Sequence, residues 1–515
     1  MNLTSLWDRE GLSVRQASAS YIATEKSLGV DESHLVISPS TVHRMRAKNR
    51  ELYAKKLEET VFKDPPHLVL HWDGKLLPQA FNTWSVEERI AVVVSGVDFE
   101  EIIGVPVASD GTGQEVAKTV FKEVERLGLR DRIIGLSFDT TAANSGMLKG
   151  ACIHIESLLD RSLLWLACRH HVYEVVLKHV FDECCGRASG PEIPEFKRFQ
   201  MRWKVIDRTS YCTLLDQEEP LNDFYESQRL LMLVFLRQVL GIGSHPREDY
   251  EELLQLCLLF LGGNISGQTE FLFRSPGAYH QARWMAKAIY AIKIVLFENQ
   301  LELTRSMARG LRRVAVFVSL VYVKYWHEAY IPQYAPKNDM DFMKIMQIYP
   351  DKELATVVKN SFSRHLWYLS EDLVSLAFFD DRLDEEEKRR MLGQLSKPGI
   401  RKQFKRLEGK TLHFTDMTSL SSFVTCHSKR LFQLLSDSED INVQHLIQDD
   451  NFKKKITSLT VVNDSAERAI ALIKKFNSSV KDESQKQFLI RVVHHQRQMM
   501  PNRTKAGCLS YEVPK

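Results

Sequence analysis

Asp73, in the string HWDGK, and Asp139, in SFDTTAANSG, each sit in or just beyond a short apolar run of the kind that makes a buried strand. In open α/β sheets the carboxyl edge of the strands is where ligands gather, so an acid there faces a ligand. The other reading of Asp139 is an N-cap for the helix that follows. Two facing carboxylates repel, and a divalent cation relieves the repulsion. Hard oxygen ligands suit Mg²⁺ or Mn²⁺, and two such ions about 4 Å apart can activate a nucleophile and stabilise a leaving oxygen in phosphoryl transfer. Such a site wants a third carboxylate, and Glu174 is the nearest candidate by position. Cys168 and His171, with His170, Cys184 and Cys185 nearby, raise a zinc reading. Two ligands fall short of the four a structural zinc takes, and zinc is not expected.

These acids need a sheet to hold them. The runs HLVLHWDGKLL (67–77), ERIAVVVSGV (88–97) and EIIGVPVAS (101–109) predict a meander of three strands. TGQEVAKTVFKEVERLGL then has helical spacing, residues 133–138 form a fourth strand, 147–159 a helix, 163–168 a fifth strand and 171–181 a helix. Three strands followed by alternating helices and strands imply a mixed sheet in an α/β fold. That is the order of the ribonuclease H-like fold, in which the first and fourth strands lie side by side and would bring Asp73 next to Asp139.

The flanks differ in texture. Residues 12–28 and a second helix from Ser38-Pro39 make a small helical region over 1–63, whose second helix carries His43, Arg44, Arg46, Lys48 and Arg50. It is either a helix-turn-helix that lays Arg44, Arg46, Lys48 and Arg50 on DNA or a solvated basic helix. The sheet region spans 64–181. Residues 182–455 are mostly long helical segments, and 456–515 supply closing helices, with Ala466, Ala469, Ile470, Ile473 and Phe476 on one face and Asp464 or Ser465 as N-cap. The basic runs Lys388-Arg389-Arg390, Arg401-Lys402, Lys405-Arg406 and Lys453-Lys454-Lys455 are either phosphate contacts or solvated helix faces.

Several strings together resemble transposases of the hAT superfamily. HWDGK is similar to the first-aspartate strand and SFDTTAANSG to the second. Cys168-Arg-His-His171 matches the Cys-x-x-His motif, Arg283-Trp284 the Arg-Trp motif, and Ser465-Ala-Glu467-Arg468 the helix of the third acid. The resemblance implies a ribonuclease H-like domain interrupted by a large all-α insertion, with Asp73, Asp139 and Glu467 as catalytic and metal-binding triad, so that Glu467 replaces Glu174. It implies two Mg²⁺ or Mn²⁺ ions and DNA strand cleavage followed by strand transfer. It also implies a nuclear location, transposon-end or related duplex DNA as partner, and a homo-oligomer. Trp284, next to Arg283, would contact DNA by stacking on a flipped base, or else is a helix-core tryptophan with Arg283 snorkelling beside it, and His171 is read as positioning DNA or the active-site carboxylates. Other readings are a catalytically silent DNA- or protein-binding descendant and a nuclease without strand transfer. The BED-type zinc finger that begins many hAT transposases has no counterpart in its Cys and His ligands here.

Composition sets outer bounds. The 515 residues carry 69 basic and 66 acidic side chains, a formal charge of +3, so any surface for nucleic acid must be local. Eight cysteines without zinc-ribbon spacing predict a reduced, intracellular protein rather than a disulfide scaffold. The N-terminus lacks signal-peptide order, and the apolar runs fall short of the roughly 20 residues that a membrane span needs, so a soluble protein is expected.

Overall fold

The apolar runs around the two aspartates become neighbouring strands of one sheet. In this computed structural model, residues 3–30, 37–79, 82–187, 193–216, 221–243, 248–264, 271–277, 284–399, 405–407, 413–477 and 479–500 are described. The sheet consists of β1 (Leu68–Gln79), β2 (Asn82–Gly96), β3 (Phe99–Gly104), β4 (Val107–Ala108), β5 (Ile133–Phe138) and β6 (Leu164–Ala167). Their order is β3-β2-β1-β5-β6, with β4 beside β2. β1, β2 and β3 pair antiparallel, whereas β1 pairs parallel with β5 and β5 with β6. The protein is therefore a mixed α/β fold with a mixed six-stranded sheet. β5 and β6 are buried at every position, which is why their sequences are continuous apolar runs rather than alternating ones.

The chain separates into two compact units, one from residues 1–168 together with 434–515 and one from residues 169–433. The sheet unit thus draws on both ends of the chain. The helical unit begins and ends earlier than the expected 182 and 455.

In the sheet unit, the face of β1 that carries His71, Asp73 and Leu77 is set by the two-residue period of a strand. Opposite His71 and Asp73 on β2 stand Val93 and Ala91. Ala91, Val93 and Leu77 form one core cluster with Ala466, Ala469, Ile470 and Ile473 of the helix Asp464–Phe476, backed by Leu489, Ile490 and Val493 of the last helix, Glu483–Met499. The apolar stripe read from the sequence at 466–476 therefore covers the aspartate face of β1. The expected helix at 147–159 begins later, at Ala151, and the preceding turn contains a short helix, Ala142–Ser145.

The N-terminal region belongs to this unit. It has three helices, Leu3–Glu10, Val14–Ser27 and Pro39–Val61, the first of which the sequence reading missed. Ser13 and Ser38 cap the latter two, accepting from the backbone N–H groups of Gln16 and Thr41. Glu58 receives Arg491 at 2.6 Å, and Gln485 donates to the Ala47 carbonyl at 3.2 Å, tying the long helix to the last one.

The helical unit is built from helices such as Arg169–Cys185, Asp223–Gly241, Glu248–Phe260, Arg305–Phe317 and Ala335–Ile348. Leu366 and Leu407 make an isolated bridge in it. Its core encloses an ion pair, Arg169 Nη1 to Asp339 Oδ1 at 2.6 Å with both side chains only 2% exposed. Among the described residues no helix is long and apolar enough to cross a membrane. The seven described cysteines are free thiols, and Cys508 lies outside the described residues.

Candidate carboxylate site

The β1–β5 ladder pairs Leu70 with Leu136 and His71 with Ser137. Asp73 lies on β1 two residues beyond the last of these pairs, and Asp139 directly follows the end of β5. Both are half-buried.

Asp139 is held in place by its own turn. Its Oδ1 accepts from the Thr141 backbone N–H at 3.0 Å, the Thr141 hydroxyl at 2.6 Å and Asn144 Nδ2 at 2.7 Å. The N-cap of the helix Ala142–Ser145 is Thr141 rather than Asp139, whose Oδ1 instead closes the turn after β5. Asn144 in turn accepts from Trp72 Nε1 at 2.8 Å, and the Trp72 and Phe138 rings stack at 5.8 Å. β1 and the turn after β5 are therefore coupled on the opposite face as well. Glycines let this turn close on itself: a Cβ on Gly150 would lie 2.5 Å from the Gly146 carbonyl oxygen and 2.6 Å from that of Asn144.

Glu467 arrives from the far end of the chain. It lies with Asp464 in the first turn of the helix Asp464–Phe476 and is half-buried. The N-cap of that helix is Asn463, not the expected Asp464 or Ser465. Asn463 does not cap by its side chain. Its Nδ2 donates to the Trp72 carbonyl at 2.8 Å, and its backbone N–H donates to Cys168 Sγ at 3.1 Å. The helix start is thereby pinned between the residue before Asp73 and the end of β6. Among the described residues, no group of three or more His, Cys, Asp or Glu side chains is close enough to hold a metal ion.

Charged and polar groups line the same face. Glu100 on β3 accepts from the Ser465 hydroxyl and from Arg468 at 3.0 Å. Burial pushes the Glu100 carboxyl up, but Arg468 and Ser465 more than offset this and hold it below its usual range. His71 shares a 2.7 Å hydrogen bond with Ser95, which bonds Thr460 at 2.8 Å. Complete burial pushes the His71 imidazole down to about 4, against the opposing pull of Glu100. At neutral pH it is an uncharged polar support.

His171 is part-exposed in the helical unit with its Nδ1 3.6 Å from Glu174, while His170 is buried and stacks on Trp326 at 5.3 Å. Cys184 and Cys185 lie at the end of the helix Arg169–Cys185, and burial pushes both thiols up to about 12. Arg283 lies outside the described residues, as do Arg401 and Lys402. Trp284 opens the helix Trp284–Leu296, and its side chain is also outside them.

The basic helix needs a correction. Arg44 and Lys48 are exposed, but Arg46 and Arg50 are buried. Both turn inward with Val42, Ala54 and Leu57, and Arg46 Nη2 and Arg50 Nε each reach Asp8 at 2.6 Å. As folded here they face the unit's interior rather than a DNA backbone. Several basic runs are likewise matched by acids: Arg390 by Glu386 and Glu387, Lys454 by Asp98 and Lys455 by Asp437.

No profile of a known protein family matches the chain, and no curated protein matches it either.

Proposed function

We propose that the chain is a transposase-like protein of the hAT type. Its sheet is read as a ribonuclease H-like domain interrupted by an all-α insertion, acting in the nucleus on transposon-end or related duplex DNA by strand cleavage and strand transfer. The observation that carries this reading is the parallel pairing of β1, which holds Asp73, with β5, the strand that Asp139 directly follows. The pinning of Asn463 to Trp72 and Cys168 supports it by starting the Glu467 helix next to β1.

The three acids offer hard oxygen donors of the kind that Mg²⁺ or Mn²⁺ takes, and Asp73, Asp139 and Glu467 would hold two ions. Such ions, when bound, supply an activated water or hydroxyl and stabilise a departing oxygen. The chain's own part is orientation. Thr141 and Asn144 fix one oxygen of Asp139, and Asn463 fixes the approach of the Glu467 helix.

A second reading is a catalytically silent descendant that binds DNA or protein. A nuclease that lacks strand transfer is a third. The test is a 5′-labelled hairpin duplex and a supercoiled plasmid incubated with the full chain. Mg²⁺-dependent nicking that disappears in Asp139→Asn supports the enzymatic readings, and joining of cut ends to the plasmid separates transposase from nuclease. Absence of nicking, together with Mn²⁺ binding no stronger than in Asp73→Ala plus Asp139→Ala, leaves only the silent reading.

A further inference from the structure

The inward turn of Arg46 and Arg50 opens onto a cavity of about 300 Å³ within the sheet unit. It is lined on one side by His43, Arg46 and Arg50 of the long N-terminal helix, on another by Ser13 and Val14 at the start of the helix Val14–Ser27, and at its base by Phe476. The Asp8 carboxylate lines it as well, together with the apolar Leu12, Val480 and Leu489.

Three features point to an anion. First, two guanidinium groups share the single carboxylate of Asp8, leaving one positive charge in excess at a site where both arginines are more than nine-tenths buried. A buried charge without a counter-charge is costly, and a bound anion removes that cost. Second, the arginines are not equally engaged. Arg46 uses all three nitrogens, on Asp8 and on the Leu12 carbonyl. Arg50 reaches Asp8 through Nε and Nη2, and its Nη1 donates to no described residue. Third, two cations outside the lining stand near Phe476, with Lys475 Nζ 5.3 Å and Arg497 Cζ 6.0 Å from its ring centroid. The start of the helix Val14–Ser27 adds its macrodipole, and the Val14 N–H has no intrahelical acceptor at that position.

Donors that come from different directions suit a tetrahedral oxyanion better than a planar carboxylate. The volume lies at the lower bound of small-ligand pockets, too small for a length of polynucleotide. We infer that this cavity binds a phosphate monoester, with its phosphate on Arg50 and His43 and its organic part against Phe476 and Val480. The inference does not depend on the carboxylate site. The phosphate can come from a free nucleotide-sized ester or from the 5′-terminus of a DNA strand.

The test is calorimetric titration of the full chain with inorganic phosphate, with deoxyadenosine 5′-monophosphate, and with a short oligonucleotide bearing either a 5′-phosphate or a 5′-hydroxyl. Phosphate and the monophosphate bind, the latter more tightly, and raise the thermal midpoint. His43→Gln at the exposed rim weakens binding about tenfold, the scale of one charge-assisted hydrogen bond, and leaves the ligand-free thermal midpoint unchanged, and Val480→Phe, which fills the cavity, weakens binding sterically. A 5′-phosphate oligonucleotide that binds better than its 5′-hydroxyl form assigns the site to strand ends, and equal binding of the two assigns it to free esters. No binding of phosphate or monophosphate at millimolar concentration overturns the inference. So does binding that survives both substitutions unchanged.

Discussion

Asn463 Nδ2 donates to the carbonyl of Trp72 at 2.8 Å across 391 residues of sequence. One amide thus joins the strand residue before Asp73 to the start of the helix that carries Glu467. Replacing it with alanine leaves a buried carbonyl unpaired, a penalty of about 1–3 kcal/mol. Asn463→Ala lowers the urea midpoint of the sheet unit accordingly, and any Mg²⁺-dependent nicking falls with it. An unchanged midpoint would show that this bond does not hold the helix start.

Asp139 has two separable duties. Asp139→Asn keeps an acceptor oxygen for Thr141 and Asn144, whereas Asp139→Ala removes all three bonds. The asparagine variant stays within about 1 kcal/mol of wild type in denaturant unfolding, and the alanine variant loses about 1–3 kcal/mol. Both lose Mn²⁺ binding. If the asparagine variant still binds Mn²⁺ like wild type, Asp139 is a turn residue and no more.

The Asp8 cluster predicts a large and asymmetric response. Asp8→Ala leaves two buried guanidinium groups without their carboxylate and destabilises the sheet unit by about 3–5 kcal/mol. Replacing all three members with apolar residues of similar size, Asp8→Leu with Arg46→Met and Arg50→Met, is close to neutral. Chemical denaturation of the two variants side by side checks the contrast.

Acid sensitivity follows from two buried imidazoles. Burial pushes both His71, in the sheet unit, and His365, in the helical unit, down from 6.5 to about 4. Between those values the unfolded chain binds protons that the folded chain refuses, so stability rises with pH over this window and is flat above it. Each group accounts for roughly 3 kcal/mol between the two ends of the window. Urea midpoints measured from pH 4.5 to 7.5 fall as pH falls, and His71→Asn reduces the slope of the sheet unit, leaving the shares of His67 and His494, which burial also pushes down.

The sheet was legible because β-branched runs of fixed length leave few ways to alternate with amphipathic helices. That the strand of Asp73 lies beside the strand that Asp139 follows was expected from the order of elements, and β1 and β5 are indeed neighbours. The inward turn of Arg46 and Arg50 was hidden, since residues four apart on a charged helix look like a solvent face until Asp8, far away in sequence, supplies a partner. Asn463 was hidden for the same reason. Its donors are satisfied by Cys168 and Trp72, hundreds of residues earlier, so local capping rules pointed to the acids beside it.

The division of the chain also has a meaning in time. Residues 169–433 are contiguous, whereas the sheet unit closes only with residues from 434 onward. At about 5–20 residues per second of translation, the ribosome needs roughly 15–50 s to cross the helical unit. Throughout that interval Ala91 and Val93 wait for the segment that will cover them. A nascent chain halted near residue 430 would carry a helical unit able to fold beside an unfinished, aggregation-prone sheet, making that pause the point at which a chaperone matters most.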